Sequence, residues 1–339
     1  MSFSPIRFGI VGFGNIGTRH AKHIQQHPEA QLIAVCDTNP QRFEQLSNTP
    51  NIVCTENFEQ LLRNPNIDVI NICVPNYLHA PYTIAALKAG KHVVCEKPMA
   101  LSTTECAQMI AAADAAQRKL FVVKQNRYNP PVHAVKQLIA NNQLGTIYQI
   151  LINCFWNRNE NYYQTSDWRG KKLKDGGCLF TQCSHFIDIM YYLVGDVDCI
   201  AGTVSNFGHT NSVEFEDSGA FLLRSKQSNA IIGFNFSTCT TQKNMEGSIT
   251  IIAQNGTVKI GGQYLNTIEY QQINNYKIAD LPTGNAPNDY GSYQGSMSNH
   301  DKVIQNVIDT LNGRDTINTI GQEGKKVIEI IEKMYAATK

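Results

Sequence analysis

The tightest constraint lies near the amino terminus, where an apolar run ends in Gly12-Phe13-Gly14-Asn15-Ile16-Gly17 and a helical pattern begins at once. A glycine turn between a first strand and a first helix is the dinucleotide fingerprint. Gly12 permits the tight turn, Gly14 lets the backbone approach a pyrophosphate, and Gly17 lets the helix pack on the strand with its N-terminus toward the phosphates. Asp37 ends the next strand 20 residues after Gly17, where a carboxylate binds the adenosine ribose hydroxyls. It repels the extra phosphate of NADP, and the next residue is Thr38 rather than arginine. NAD is therefore the expected cofactor, with Arg42 within reach of the same edge and keeping NADP open.

From Arg7 to Gln125, short apolar runs alternate with helical patterns, as in βαβ units around a parallel sheet. The predicted strands are Phe8–Val11, Leu32–Cys36, Ile52–Cys54, Val69–Cys73, His92–Cys95 and Phe121–Lys124, with helices at Ile16–Gln26, Leu78–Ala89 and Thr103–Gln117. After a helix near Pro131–Ala140 the texture changes. β patterns at 147–156, 200–207, 219–223, 230–237, 247–253 and 256–260 follow with one helix, His185–Leu193, among them. Strands without crossovers predict antiparallel pairing. The expected fold is thus an α/β Rossmann domain over 1–125 and an α+β domain with a large, mostly antiparallel sheet over 126–339. The closing helices His300–Leu311 and Gln322–Ala336 are free to pack back on the first domain.

Two domains suit a chain of 339 residues, since single cores seldom grow past roughly 250–300 residues. A formal net charge of +1 gives no general attraction to nucleic acid or an anionic membrane, so an anionic ligand must be held by local groups. The ten cysteines include no Cys-x-x-Cys spacing and mostly sit in apolar runs, which predicts reduced core thiols and no metal centre. No apolar run reaches the roughly 18 residues of a membrane span, and Met1-Ser2-Phe3-Ser4-Pro5 does not open a secretory signal, so a cytoplasmic location is expected.

The fourth strand ends in Val74-Pro75-Asn76-Tyr77-Leu78-His79, at the carboxyl edge of the sheet where ligands collect. Pro75 and Asn76 are expected at the cofactor. His79 either meets it too or packs on its neighbours at a helix start. The fifth strand delivers His92-Val93-Val94-Cys95-Glu96-Lys97-Pro98. This stretch closely resembles the glucose-fructose oxidoreductase, inositol dehydrogenase and rhizopine-catabolism (Gfo/Idh/MocA) family, and the resemblance spans essentially the whole chain. It implies an active-site lysine at Lys97 and a cofactor contact at Glu96. A lysine just past a central strand points into the nicotinamide crevice, where burial and the positive ring disfavour its charge, so its pKa is expected to fall toward general-base work on a sugar hydroxyl.

A second signature is Lys174-Asp175-Gly176-Gly177-Cys178-Leu179-Phe180-Thr181-Gln182-Cys183-Ser184-His185-Phe186-Ile187-Asp188. The resemblance implies a catalytic role for His185. Many family members carry an aspartate four residues before this histidine, and here Thr181 stands instead. Thr181 and Gln182 supply only neutral hydrogen bonds, which makes Lys97 the expected main base and His185 a hydrogen-bonding partner of the reacting oxygen. Asp188, three residues on, either orients the imidazole or is solvated.

Three segments are similar to one branch, the nucleotide-sugar 3-dehydrogenases of lipopolysaccharide and O-antigen synthesis. They are Gln125-Asn126-Arg127-Tyr128-Asn129-Pro130-Pro131, the Trp168-Arg169-Gly170 turn with Thr181-Gln182, and Tyr290-Gly291-Ser292-Tyr293-Gln294-Gly295-Ser296 through Asn299-His300. This likeness implies a UDP-N-acetylglucosaminuronic acid substrate oxidised at its 3-hydroxyl, a downstream aminotransferase, and a homodimer or homotetramer. It places Gln125, Trp168 and Arg169 at the cofactor and Arg127, Tyr128, Asn129, Arg158, Thr181, Gln182 and Asn299 at the substrate. The residues between 158 and 174 carry a local excess of cations suited to a diphosphate and a carboxylate, and Arg127 and Arg169, set among aromatic and polar residues, are the expected anion holders. Trp156, Trp168, Tyr162 and Tyr163 either stack on sugar or uracil or belong to the core. A free inositol or aldose dehydrogenase is the other enzyme reading, and an NAD-dependent sugar sensor on the same fold is the non-enzyme one.

Overall fold

The computed structural model describes residues 4–47, 49, 51–289, 291 and 293–338. Tyr290 and Ser292 of the segment singled out above lie outside the described residues, as do Met1, Ser2 and Phe3. The chain forms two compact units. The first takes the described residues through Lys124 together with His300–Ile328, and the second takes Gln125–Asn299 with the described residues from Glu329 onward.

In the first unit the elements run β1 (Ile6–Val11), α1 (Asn15–Gln26), β2 (Ala30–Cys36), β3 (Val53–Thr55), α2 (Phe58–Arg63), β4 (Val69–Ile72), α3 (His79–Lys88), β5 (His92–Cys95), α4 (Thr103–Ala116) and β6 (Leu120–Val122). The sheet order is β3-β2-β1-β4-β5-β6 with every pair parallel. All four residues of β4 are buried, as expected for a strand covered on both faces. The order reverses between β1 and β4, so the crevice outside their carboxyl ends is the ligand position of this fold.

The second unit opens with α5 (Pro130–Ala140) and β7 (Ile147–Phe155), passes through the short helices α6 (Glu160–Gln164), α7 (Lys172–Asp175) and α8 (Cys178–Thr181), and buries α9 (Ser184–Val194). Strands β8 (Val197–Ser205), β9 (Ser218–Ser225), β10 (Ile231–Ser237), β11 (Glu246–Ala253), β12 (Gly256–Gly261) and β13 (Thr267–Ile273) complete a seven-stranded sheet ordered β13-β12-β11-β7-β10-β9-β8. It is antiparallel except for β7 beside β10, which run parallel in register from Ile231 opposite Gln149 to Ser237 opposite Phe155. One face carries Ile150, Ile152, Phe221, Leu223, Ile232, Phe234, Ile249 and Ile251 into the core, while Leu151, Leu222, Ile231 and Ile252 stand on the other face exposed. The sequence patterns miss β13, whose side chains are mostly exposed and polar. A hairpin of β14 (Pro287–Asp289) and β15 (Gln294–Met297) follows.

The closing helices are α10 (His300–Leu311), which packs on α1 in the first unit, and α11 (Gly321–Ala336), whose residues from Glu329 belong to the second. Among the described residues none of the ten cysteines forms a disulfide; seven are buried, whereas Cys54 and Cys239 are exposed rather than core. No described helix is long and apolar enough to cross a membrane.

Candidate active site

The glycine turn shows why each glycine is there. Gly12 has φ +84°, and a Cβ on it would lie 2.4 Å from the Cys73 carbonyl oxygen; a Cβ on Gly17 would lie 2.0 Å from the Gly12 carbonyl oxygen. Those two positions are closed by strand and helix packing. At Gly14 a Cβ meets nothing nearer than Arg42 Nη1 at 3.5 Å, so the space over this residue is open to a ligand. Gly14 is also the N-cap of α1, without a side-chain cap and without an acidic residue in the first turn. The helix thus presents uncapped N–H groups suited to a pyrophosphate. Asn15 is exposed, Ile16 is half-buried, and the Phe13 side chain is buried in the core.

Asp37 sits at the end of β2, buried and drawn to the turn. Its Oδ2 accepts the Phe13 N–H at 2.6 Å and Arg42 Nη1 at 2.8 Å, and its Oδ1 accepts the Asn39 N–H at 2.8 Å. The carboxylate is therefore fixed at the mouth of the glycine turn, with Arg42 offsetting part of its charge. Pro75 and the buried Asn76 form the turn after β4.

Two expected cofactor residues point elsewhere. The Glu96 carboxylate turns into the core, where Oε1 accepts His20 Nε2 at 2.9 Å and Oε2 accepts the Lys97 N–H at 3.0 Å. Burial would raise its pKa, but the hydrogen bond from His20 and the closeness of the His300 ring hold it well below the usual carboxylate range. The His79 ring is buried with both nitrogens on backbone carbonyls, Nδ1 on Pro98 at 2.6 Å and Nε2 on Val74 at 2.9 Å. Burial pushes the His79 pKa down against those carbonyls. Both side chains are clamps around Lys97, which is itself half-buried.

In the second unit His185, at the start of α9, is buried, and its Nε2 lies 3.5 Å from Ser296 Oγ, which accepts Gln125 Nε2 at 3.0 Å. Gln125, Ser296 and His185 thus line up from three distant stretches of chain, and Gln125 Oε1 is buried with no hydrogen-bond partner. Ser296 carried no signal of its own in the sequence. Thr181 hydroxyl donates to the Gly177 carbonyl at 3.1 Å. Tyr128 is half-buried.

Several expected substrate residues are spent on the fold. Arg127 is buried, and its Nε and Nη2 donate to the two oxygens of Asp188 at 2.9 and 2.8 Å. Its guanidinium fork is filled by that carboxylate instead of standing open to a phosphate, and Asp188 is buried rather than solvated. Asn129 Nδ2 donates to the Tyr264 and Leu265 carbonyls, and Asn299 Nδ2 donates to Asn129 Oδ1 at 2.7 Å and to the Gln125 carbonyl at 3.2 Å. The lysines of the basic stretch turn outward, Lys171 pairing with Glu214 and Lys174 with Asp167 at exposed positions.

Arg158 and Arg169 behave differently. Arg158 is fully buried, hydrogen-bonded through Nε to Gln182 Oε1 at 2.8 Å and through Nη1 to the Asn157 carbonyl and Asn244 Oδ1. Its Cζ lies 5.4 Å from the Tyr162 ring centroid and 5.2 Å from that of Tyr293; Arg169 lies 4.6 and 5.7 Å from the same two rings and 5.5 Å from Trp168. Among the described residues neither guanidinium forms an ion pair, and Arg169 Nε is buried without a hydrogen-bond partner. Burial works against the charge of Arg169, yet Tyr162, Tyr293 and Asp175 hold its pKa above the ordinary value. Burial pushes Tyr162 up to about 12, so the phenol stays neutral. Trp156 is core, edge-on to Phe186 at 5.5 Å, and Tyr162 and Tyr163 are buried edge to face at 5.0 Å.

Residues 6–124 match the oxidoreductase family with an NAD-binding Rossmann fold, GFO_IDH_MocA, and residues 132–259 match the GFO/IDH/MocA C-terminal domain. The chain belongs to this family. It is an NAD-dependent sugar oxidoreductase acting on a CH–OH group. Among solved structures, the WlbA dehydrogenase of Chromobacterium violaceum in complex with NADH and UDP-GlcNAcA is 31% identical, with a TM-score of 0.90 over 100% of this chain and 95% of that one. The WlbA dehydrogenase of Bordetella pertussis, also in complex with NADH and UDP-GlcNAcA, is 33% identical, with a TM-score of 0.87 over 98% and 96%. Glucose-6-phosphate 3-dehydrogenase of Bacillus subtilis (strain 168) is 26% identical over 97% of this chain and 95% of its own. Other curated relatives match over about half of their length, 47% and 53% in two cases.

Proposed function

We propose that the protein oxidises the 3-hydroxyl of a UDP-linked N-acetylhexosaminuronic acid to the 3-keto sugar. The observation that carries this reading is the pairing of Arg158 and Arg169 on the faces of Tyr162 and Tyr293, with neither guanidinium in an ion pair with a carboxylate among the described residues. A neutral polyol does not call for two such cations; a diphosphate or a uronate does, and an aromatic face beside them suits a uracil. That the two WlbA structures hold UDP-GlcNAcA supports the same substrate class.

NAD, when bound, supplies the hydride acceptor; the uncapped N-terminus of α1, the open face of Gly14 and the carboxylate of Asp37 are the groups that hold it. Lys97 takes the hydroxyl proton as general base. His185, steadied by Ser296, hydrogen-bonds the reacting oxygen and relays the proton onward. With Thr181 bonded to the Gly177 carbonyl, no carboxylate stands one turn before His185 to raise its basicity, which leaves Lys97 as the main base. The product ketone suits a downstream aminotransferase in lipopolysaccharide or O-antigen sugar synthesis. The exposed Leu151, Leu222, Ile231 and Ile252 on one sheet face supply an apolar surface for a homodimer or homotetramer.

The test is purified protein with NAD and a panel of UDP-N-acetylglucosaminuronic acid, UDP-N-acetylglucosamine, glucose 6-phosphate, N-acetylglucosamine and inositol, with NADH absorbance as readout. The uronate is expected to be oxidised fastest. Equal turnover of UDP-N-acetylglucosamine removes the carboxylate from the assignment and keeps UDP, whereas faster turnover of inositol or glucose 6-phosphate overturns the nucleotide-sugar reading.

A further inference from the structure

The first unit buries a polar network directly behind Lys97. His20 on α1, Glu96 after β5 and His300 at the start of α10 are all at most 5% exposed, in a region otherwise packed with apolar side chains. Asn71 on β4 donates from Nδ2 to His20 Nδ1 at 2.8 Å. That bond sets the tautomer: the His20 proton sits on Nε2 and is donated to Glu96 Oε1 at 2.9 Å. The other carboxylate oxygen receives the backbone N–H of Lys97 at 3.0 Å. His300 Nε2 lies 3.4 Å from Oε1, close enough for charge but outside hydrogen-bond geometry, so neither of its ring nitrogens has a hydrogen-bond partner. On the far side of Lys97, the His79 ring grips the Pro98 carbonyl at 2.6 Å.

We infer that His20 is a positioning residue for the reaction: through Glu96 it fixes the backbone of Lys97 and so aims the base. A carboxylate buried among apolar side chains gains nothing that a well-packed hydrophobe would not match in stability, which leaves the geometry it imposes as its distinguishing effect. Here the geometry is specific. The line Asn71 to His20 to Glu96 to the Lys97 N–H ends on the residue assigned as base, and backbone misplacement of a catalytic group by a fraction of an ångström is felt in turnover before it is felt in binding. His20, Glu96 and His300 also place donor atoms within 4.8 Å of one another, a spacing that a divalent cation accepts. The hydrogen bonds donated by Asn71 and by the Lys97 amide account for the arrangement without an ion.

This inference rests on Lys97 being the base, and the experiment separates the two. Full-length His20→Leu, His20→Gln, Asn71→Leu and Lys97→Ala proteins are compared for melting temperature, NADH affinity, kcat, KM and amide hydrogen exchange at Lys97. Turnover is read with UDP-N-acetylglucosaminuronic acid or, where the sugar panel assigns another substrate, with that sugar. His20→Leu is expected to lower kcat about tenfold or more while NADH affinity and KM stay within about threefold, with faster exchange of the Lys97 amide. His20→Gln, which keeps an N–H toward Glu96, is expected to recover most of both effects. Asn71→Leu, which frees the His20 tautomer, is expected to fall between them and keeps the test alive if His20→Leu does not fold. Wild-type kcat and exchange in His20→Leu, equal losses in the Leu and Gln variants, or a stoichiometric metal whose removal abolishes turnover would each overturn the inference. Near-normal turnover by Lys97→Ala removes the base itself, and the positioning role with it; an inactive Lys97→Ala beside an unaffected His20→Leu overturns the positioning role alone.

Discussion

Arg127 and Asp188 form a two-pronged ion pair inside the second unit, with side chains only 6% and 2% exposed and the guanidinium lying 4.8 Å from the Tyr192 ring centroid. The pair joins the segment after β6 to the middle of α9, the helix that carries His185 in its first turn. Removing one partner leaves the other charged and buried. Arg127→Ala or Asp188→Ala is therefore expected to cost about 3–5 kcal/mol of stability, whereas replacing both with apolar residues of similar volume costs much less. Denaturant melts of the two single variants and the double variant check this; single variants as stable as wild type would show that Arg127 is free to serve a ligand.

Asp37 governs the choice of cofactor. Because its carboxylate is fixed by the Phe13 N–H and Arg42, Asp37→Ala is expected to weaken NAD far more than NADP, with Arg42 left to receive a 2′-phosphate. Equal weakening of both cofactors in a fluorescence titration would take Asp37 away from the ribose.

Lys97 is expected to matter to chemistry and not to cofactor binding. Lys97→Ala should leave NADH affinity within a few-fold and lower turnover by roughly 10²-fold or more, the range for loss of a general base. Near-normal turnover would move the base to His185.

Arg169 and Arg158 should separate by burial. Half-buried Arg169 is expected to act on the substrate, so Arg169→Met raises KM for the UDP-sugar and lowers turnover as well, since remote binding energy helps place the reacting hydroxyl. Arg158, fully buried and bonded to Gln182 and Asn244, is expected to lose melting temperature along with activity when changed to Met. An unchanged KM in Arg169→Met counts against the anion role.

Acid should weaken the first unit through its histidines. Burial, the largest cause in each case, pushes His23 and His92 from the ordinary 6.5 down to about 4. Between these values the unfolded chain binds protons that the folded chain does not, so stability is present above pH 6.5 and is lost as pH falls toward about 4. Melting temperature should decline over that window, and the decline should flatten in a His23→Gln, His92→Gln double variant. An identical pH profile in that variant would assign the acid sensitivity to other groups.

Much of the first unit was legible locally. The glycine turn, the position of Asp37 and the strands β1, β2, β4 and β5 follow from short-range rules: turn sterics, apolar runs and helical spacing act within a few residues, so a single stretch of chain contains them. The same holds for the alternating strands β7, β9 and β10, each of which buries one face. Lys97 and His185 came from motif resemblance, again a local signal.

What the sequence by itself determined is thus the kind of element along most of the first unit and the strongly patterned strands of the second, and the presence of a dinucleotide turn. The tertiary structure alone decided where side chains with two plausible destinations go. Glu96 turns inward because His20 and His300, distant in the chain, supply partners that offset the cost of burying a carboxylate. Arg127 is taken by Asp188, 61 residues away, and Gln125 reaches Ser296 across 171 residues. The placement of His300–Ile328 in the first unit, with α10 against α1, is of the same kind. A charge or amide carries no period that announces its partner; only the fold, by removing water from around it, selects the group that must satisfy it.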